Sequence, residues 1–101
     1  MKKNLLKETL EALWQHGKKS SDVKWCGTEN GWCTWDEFAA VADVEYESGY
    51  GATKVAKDLV IVGEDWWLER REYDGSEWWE FKTLPTKPKT QRVPQVIKTL
   101  F

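Results

Sequence analysis

Trp66-Trp67-Leu68-Glu69-Arg70-Arg71-Glu72-Tyr73-Asp74-Gly75-Ser76-Glu77-Trp78-Trp79-Glu80-Phe81-Lys82 is the stretch on which the fold turns. Aromatic and aliphatic residues alternate with charges on both sides of an Asp-Gly-Ser-Glu turn signal, the period-two pattern of a half-buried antiparallel hairpin. Strands are expected from Trp66 to Tyr73 and from Trp78 to Leu84. Cross-strand charge selects the expected register. One register sets Glu72 against Glu77 and Glu69 against Glu80, which is repulsive. Its neighbour sets Tyr73 against Trp78, Arg71 against Glu80, Glu69 against Lys82 and Trp67 against Leu84, and this one is predicted. Trp66, Leu68, Trp79 and Phe81 then form the core face. Glu69, Arg71, Glu80 and Lys82 form a wet ladder bracketed by Trp67 and Trp78.

Upstream, Leu59 to Val62 reads as a buried strand, joined to the hairpin by a Gly63-Glu64-Asp65 turn. The chain from Ala52 is therefore an antiparallel meander. Lys2 to His16 predicts an amphipathic helix: Leu6, Leu10, Leu13 and Trp14 share a face, Asn4 is a possible cap and Gly17 the stop. Val23 to Cys26 suggests a short strand before a Glu29-Asn30-Gly31 turn. Thr34 and Glu37 have capping-box spacing and open a helix from Trp35 to about Ala42, presenting Phe38, Val41 and Ala42. Asp43 to Gly51 is expected as a loop.

After Leu84, Pro85, Pro88 and Pro94 mark an extended basic linker. Val93, Val96, Ile97, Leu100 and Phe101 then recover a helical stripe, which must dock on its own domain, on a second copy or in a partner groove. The expected class is α+β: a three- to four-stranded meander packed with an N-terminal, a short middle and a short C-terminal helix. Residues 1–84 form the compact domain and 85–101 the tail.

At 101 residues the chain supports one domain, and eight Trp are an efficient filling for a small core. The apolar run Leu59 to Val62, like every other in the chain, is too short to cross a bilayer. No signal peptide is expected at Met1, because Lys7, Glu8 and Glu11 break the Leu-containing segment. A cytoplasmic protein is expected, with Cys26 and Cys33 as free thiols.

A net charge of −2 conceals a division. Residues 1–24 carry six Lys against Glu8, Glu11 and Asp22, a net +3. Residues 25–80 carry four bases against 14 acids, a net −10, and residues 81–101 carry five bases and no acid. Between Trp25 and Thr53 there is no Lys or Arg, while Glu29, Asp36, Glu37, Asp43, Glu45 and Glu47 accumulate. Such a field steers a partner of opposite sign, unless the basic ends fold back to neutralise it.

With one His in the chain, only His16 can partner a cysteine nucleophile, and no nucleophile turn accompanies it, so an enzyme is not expected. Cys26 and Cys33 across a turn, with His16 upstream, are candidate zinc ligands, with an Asp or Glu as fourth ligand. Packing among Trp25, Trp32 and Trp35 explains the same cysteines without metal. Aromatics lie in the acidic middle and bases at the ends, which disfavours direct sequence-specific nucleic-acid binding.

The run from Asp58 to Arg70 and the run from Tyr73 to Lys82, preceded by Glu45 to Gly51, resemble a family of small proteins carried by phages and prophages of Gram-positive bacteria. The likeness covers about the middle half of the chain and rests on the paired Trp-Trp blocks. It implies a mobile-element origin and action in the bacterial host cell. Small acidic phage proteins of this kind include inhibitors of defence systems, CRISPR nucleases among them. The expected function is thus a non-enzymatic anti-CRISPR-type inhibitor that binds a basic, nucleic-acid-handling host nuclease and obstructs nucleic-acid loading. Asp43, Glu45, Tyr46, Glu47 and Tyr50 are the expected contacts, with Glu64 and Asp65 secondary. The alternatives are a phage structural or regulatory module that forms a homodimer through residues 93–101, and a small zinc-binding protein.

Overall fold

A computed structural model of the chain describes residues 1–49 and 51–97. In chain order the elements are β1 (Lys2–Asn4), α1 (Leu5–Gln15), a 3-10 turn (Ser20–Asp22), β2 (Trp25–Thr28), β3 (Gly31–Cys33), α2 (Trp35–Ala42), β4 (Glu45–Glu47), β5 (Val60–Val62), β6 (Trp66–Tyr73) and β7 (Ser76–Thr83). The strands form a five-stranded antiparallel sheet in the order β3-β2-β5-β6-β7 and a separate β1-β4 pair. The α+β class holds, with two more strands in the main sheet than the meander alone supplies.

Three expectations are corrected. The hairpin takes the register rejected on charge: Glu69 faces Glu80, Glu72 faces Glu77 and Tyr73 faces Ser76. The reason is the turn. Asp74 (φ 51°) and Gly75 (φ 87°) are both left-handed, so the loop is the two-residue Asp-Gly turn whose twist matches the strands. Repulsion is relieved locally and at long range. Arg71 reaches both Glu69 (3.7 Å) and Glu80 (2.8 Å), Lys82 bonds Glu80 at 3.0 Å, and Glu77 turns into the interior. A slip of two residues leaves every side chain on its face, so Trp66 and Leu68 are buried as expected, with Trp79 and Phe81 packed beside them.

The second correction concerns α1, whose buried stripe is Leu5, Thr9 and Leu13, while Leu10 and Trp14 stand in solvent. Thr9 is buried because its hydroxyl donates to the Leu5 carbonyl (2.7 Å) and accepts from Trp79 Nε1 (2.9 Å). The Asn4 side chain caps the helix by accepting from Lys7 N–H. Gly17 (φ 70°) ends it, with Lys18 N–H bonding the Leu13 carbonyl and Gly17 N–H the Trp14 carbonyl, a Schellman closure.

Thirdly, Val93 to Ile97 are not helical, and every residue from Thr83 to Ile97 is exposed, so the C-terminal helix is absent among the described residues. Leu100 and Phe101, the remainder of that stripe, lie outside them.

α2 begins where its capping box predicts, with Thr34 and Glu37 bonded reciprocally, and ends at Ala42 as expected. Both helices cover the inner sheet face, where Cys26, Phe38, Ala42, Ile61, Trp66 and Leu68 form the core with Leu5 and Leu13. The outer face reads across the strands as Trp25, Val62, Trp67 and Lys82, then Gly27, Val60, Glu69 and Glu80. Trp32 pairs with Gly27 at its β3 margin.

Gly63 is held against the Trp66 indole, which leaves no room for a Cβ. Gly63→Ala is therefore expected to expel Trp66 from the core, at a cost of about 1–3 kcal/mol, read as a lower urea midpoint with a blue-to-red shift of the native Trp emission.

Candidate functional site

The expected contact loop is built over a buried charge. Arg70, in the middle of β6 on the core face, has a side chain only 3% exposed. Its Nη1 donates to Glu8 Oε2 (3.1 Å) from α1, and its Nη2 to Tyr46 Oη (3.1 Å) from β4 and Glu77 Oε1 (3.4 Å) from β7. The guanidinium lies 4.7 Å from the Trp79 ring centre. Glu77 also accepts from the backbone N–H groups of Lys54 (2.7 Å) and Val55 (3.2 Å), which pins the chain between β4 and β5.

This network engages Tyr46, which is half-buried. Its hydroxyl donates to Glu8 Oε1 at 2.6 Å, and burial, reinforced by that carboxylate, pushes the phenol up to about 12. Glu47 is likewise occupied: it lies opposite Lys2 in the β1-β4 pair and bonds the N-terminal ammonium, which holds its carboxyl below the usual range. The basic N-terminus thus folds back on part of the acidic segment. Short β1 and β4 replace the expected loop because pairing of Lys2, Lys3 and Asn4 with residues 45–47 satisfies their backbone groups.

Asp43 and Glu45 remain exposed, Asp43 accepting from Asn4 Nδ2 at 2.9 Å. Tyr50 lies outside the described residues. Glu64 and Asp65 are exposed in the β5-β6 turn, where they share a hollow with Lys18, Asp22 and Lys24 and do not join β4.

Two residues beside Asp43 escape the sequence pattern. Val41 is 74% and Val44 54% exposed, and Asp36 is exposed on the same helix as Val41. The sequence groups Val41 with Phe38 and Ala42 as the residues the helix presents, but only the latter two are buried. Trp35, Phe38, Ala39 and Ala42 make the inward stripe at i, i+3, i+4 and i+7, and Val41 falls off it. That spacing was the available signal. The α2-β4 corner therefore presents two bare valines in one stretch with the exposed Asp43 and Glu45.

Cys26 and Cys33 are direct partners across β2 and β3. Burial, then the neighbouring Cys33, pushes the Cys26 thiol up to about 12, and burial followed by Glu37 raises Cys33. Both are thiols at neutral pH and poor nucleophiles. His16 is elsewhere, stacked on Phe81 at 4.1 Å between ring centres. The expected zinc ligands are thus not gathered, and among the described residues no group of three or more His, Cys, Asp or Glu is placed to hold a metal ion. No helix among the described residues is long and apolar enough to cross a membrane.

No family model matches the chain, and comparisons with curated proteins and with solved structures likewise find no match.

Arg70→Leu leaves Glu8 and Glu77 facing one another without their cation, and a loss of about 3–5 kcal/mol is expected in urea unfolding. The raised Cys26 and Tyr46 groups also set an alkaline limit. Each keeps its proton longer in the folded state than in the unfolded one, so stability is full below the unfolded values and declines as pH rises toward about 12. Melting temperature is expected to fall from about pH 9 as unfolded thiols ionise, and more steeply from about pH 10 as unfolded phenols do. Cys26→Ala should flatten the first part of that decline and Tyr46→Phe the second, in thermal scans across this range.

Proposed function

We propose that the chain is a non-enzymatic binding protein that inhibits a basic, nucleic-acid-handling bacterial defence nuclease by occupying its charged surface with the α2-β4 corner. The observation that carries this reading is the exposure of Val41 and Val44 in the same short stretch as the exposed Asp43 and Glu45. An apolar centre with a charged rim is the anatomy of a protein interface. The valines supply area to be desolvated, and the carboxylates steer a cationic partner and set its orientation. The segment from Trp25 to Thr53 holds no Lys or Arg, so no cation within it opposes that field. The likeness of the Trp-Trp blocks to phage proteins supports a host defence complex as the target, with a CRISPR effector nuclease as the specific candidate.

The corner separates two kinetic effects. Against a purified CRISPR effector, Asp43→Lys with Glu45→Lys is expected to slow association about tenfold or more at low salt and to flatten its salt dependence. Val41→Asp with Val44→Asp is expected to speed dissociation. Surface-immobilised effector and stopped-flow association read both. Rates untouched by all four changes would remove the corner from the interface, and an absence of binding by the unaltered chain would remove the nuclease as its partner.

A further inference from the structure

We infer that Cys26 and Cys33 are a reversible dithiol-disulfide couple, oxidised by small-molecule disulfides of the oxidised glutathione class, whose closure staples the edge hairpin of the five-stranded sheet. The inference does not depend on the function proposed for the α2-β4 corner.

The strands set the placement. β2 and β3 are joined through Glu29 and Asn30, and their register seats Cys26 directly opposite Cys33. Facing side chains of an antiparallel pair leave the sheet on the same side. Here that side is the inner one, where Cys26 belongs to the core and Cys33 packs against it. Facing Cα atoms stand about 4.5–5.5 Å apart, within the roughly 4.4–6.8 Å that a disulfide spans. The Cβ atoms of such pairs, also about 4.5–5.5 Å apart, must close to about 3.5–4.5 Å. The strand that has to shift is the one freest to do so. β3 is three residues long and forms the sheet edge, with β2 as its sole strand neighbour among the described residues.

Both cysteines are free, and their difference in access orders the chemistry. Cys26 is wholly buried, with Cys33 and Ile61 facing it from the two neighbouring strands, whereas Cys33 is half-buried at the edge. Cys33 therefore reacts first. Its thiolate attacks one sulfur of oxidised glutathione, the S–S bond of that molecule breaks, and one glutathione leaves as a thiolate that takes up a proton. Cys26 then gives its thiol proton to solvent and attacks Cys33 Sγ. The Cys26–Cys33 bond forms, and the second glutathione is expelled and protonated in turn. Two protein thiols have given up two electrons and two protons, and one small disulfide has become two thiols. Burial keeps both sulfurs protonated at neutral pH, so the exchange is slow. The new bond ties β3 to β2 one residue before Thr34, the cap of α2, and constrains the unfolded chain by a closed loop.

Equilibration of the unaltered chain in glutathione redox buffers, with and without urea, followed by acid quenching, alkylation and mass spectrometry, tests this. The folded chain is expected to lose two hydrogens as a monomer. Its closure constant is expected to exceed that in urea by about tenfold or more, because the fold holds the two sulfurs in register. Cys26→Ala is expected to stop at one glutathione on Cys33, and Cys33→Ala to leave Cys26 unmodified in the folded state. The comparison with urea uses the unaltered chain, so a variant that fails to fold leaves it intact. A folded chain that stays a dithiol in excess oxidised glutathione would overturn the inference. So would mixed disulfide alone, disulfide-linked dimers in place of the closed monomer, or a closure constant no greater in the folded chain than in urea.

Discussion

The arrangement of this molecule hangs on one buried guanidinium. Arg70 sits on the core face of β6, where the strand pattern calls for an apolar residue, and it joins α1 through Glu8, β4 through Tyr46 and β7 through Glu77 and Trp79. Through Glu77 it also fixes the backbone at Lys54 and Val55. A buried ion pair adds little net stability over apolar packing, because desolvation offsets most of the attraction. Its value here is directional. Apolar contacts tolerate sliding, whereas two carboxylates and a phenol aimed at one cation accept a single placement of the helix, the β1-β4 pair and the hairpin.

Features set by neighbours in sequence were legible, and those set at a distance were not. The α2 helix was placed correctly because Thr34 and Glu37 satisfy each other within one turn. The limits of β6 followed from alternation alone. The hairpin register failed for two reasons. The Asp74-Gly75 pair is a strong local signal for a two-residue loop, and it was outweighed by apparent charge repulsion. That repulsion was itself illusory, since Glu77 is compensated by Arg70 and by backbone groups more than twenty residues upstream. Strands of three residues, such as β1 and β4, carry too little pattern to be seen before their partners are known.

The candidate site was legible only in part. Acid accumulation between Trp25 and Thr53 drew attention to this segment, and Asp43 and Glu45 do stand in solvent. Composition did not distinguish carboxylates consumed by structure from those left over. Glu47 answers the N-terminal ammonium, Glu37 caps α2, and Tyr46 belongs to the interior network. The eight tryptophans divide in the same way. Trp66 and Trp79 build the core side of the hairpin, whereas Trp14 and Trp32 are surface residues that core filling does not explain.

The sheet ends in two unlike edges. β3 is three residues long, but β7 is eight, and its outer rim faces no strand among the described residues. A long bare rim is a template on which further chains can add, the first step toward fibrous aggregates. Here Glu80 and Lys82 charge that strand, and Pro85 stands two residues beyond its end, without an amide hydrogen to extend the ladder. The same proline that holds Leu84 extended therefore also guards that rim against open-ended stacking.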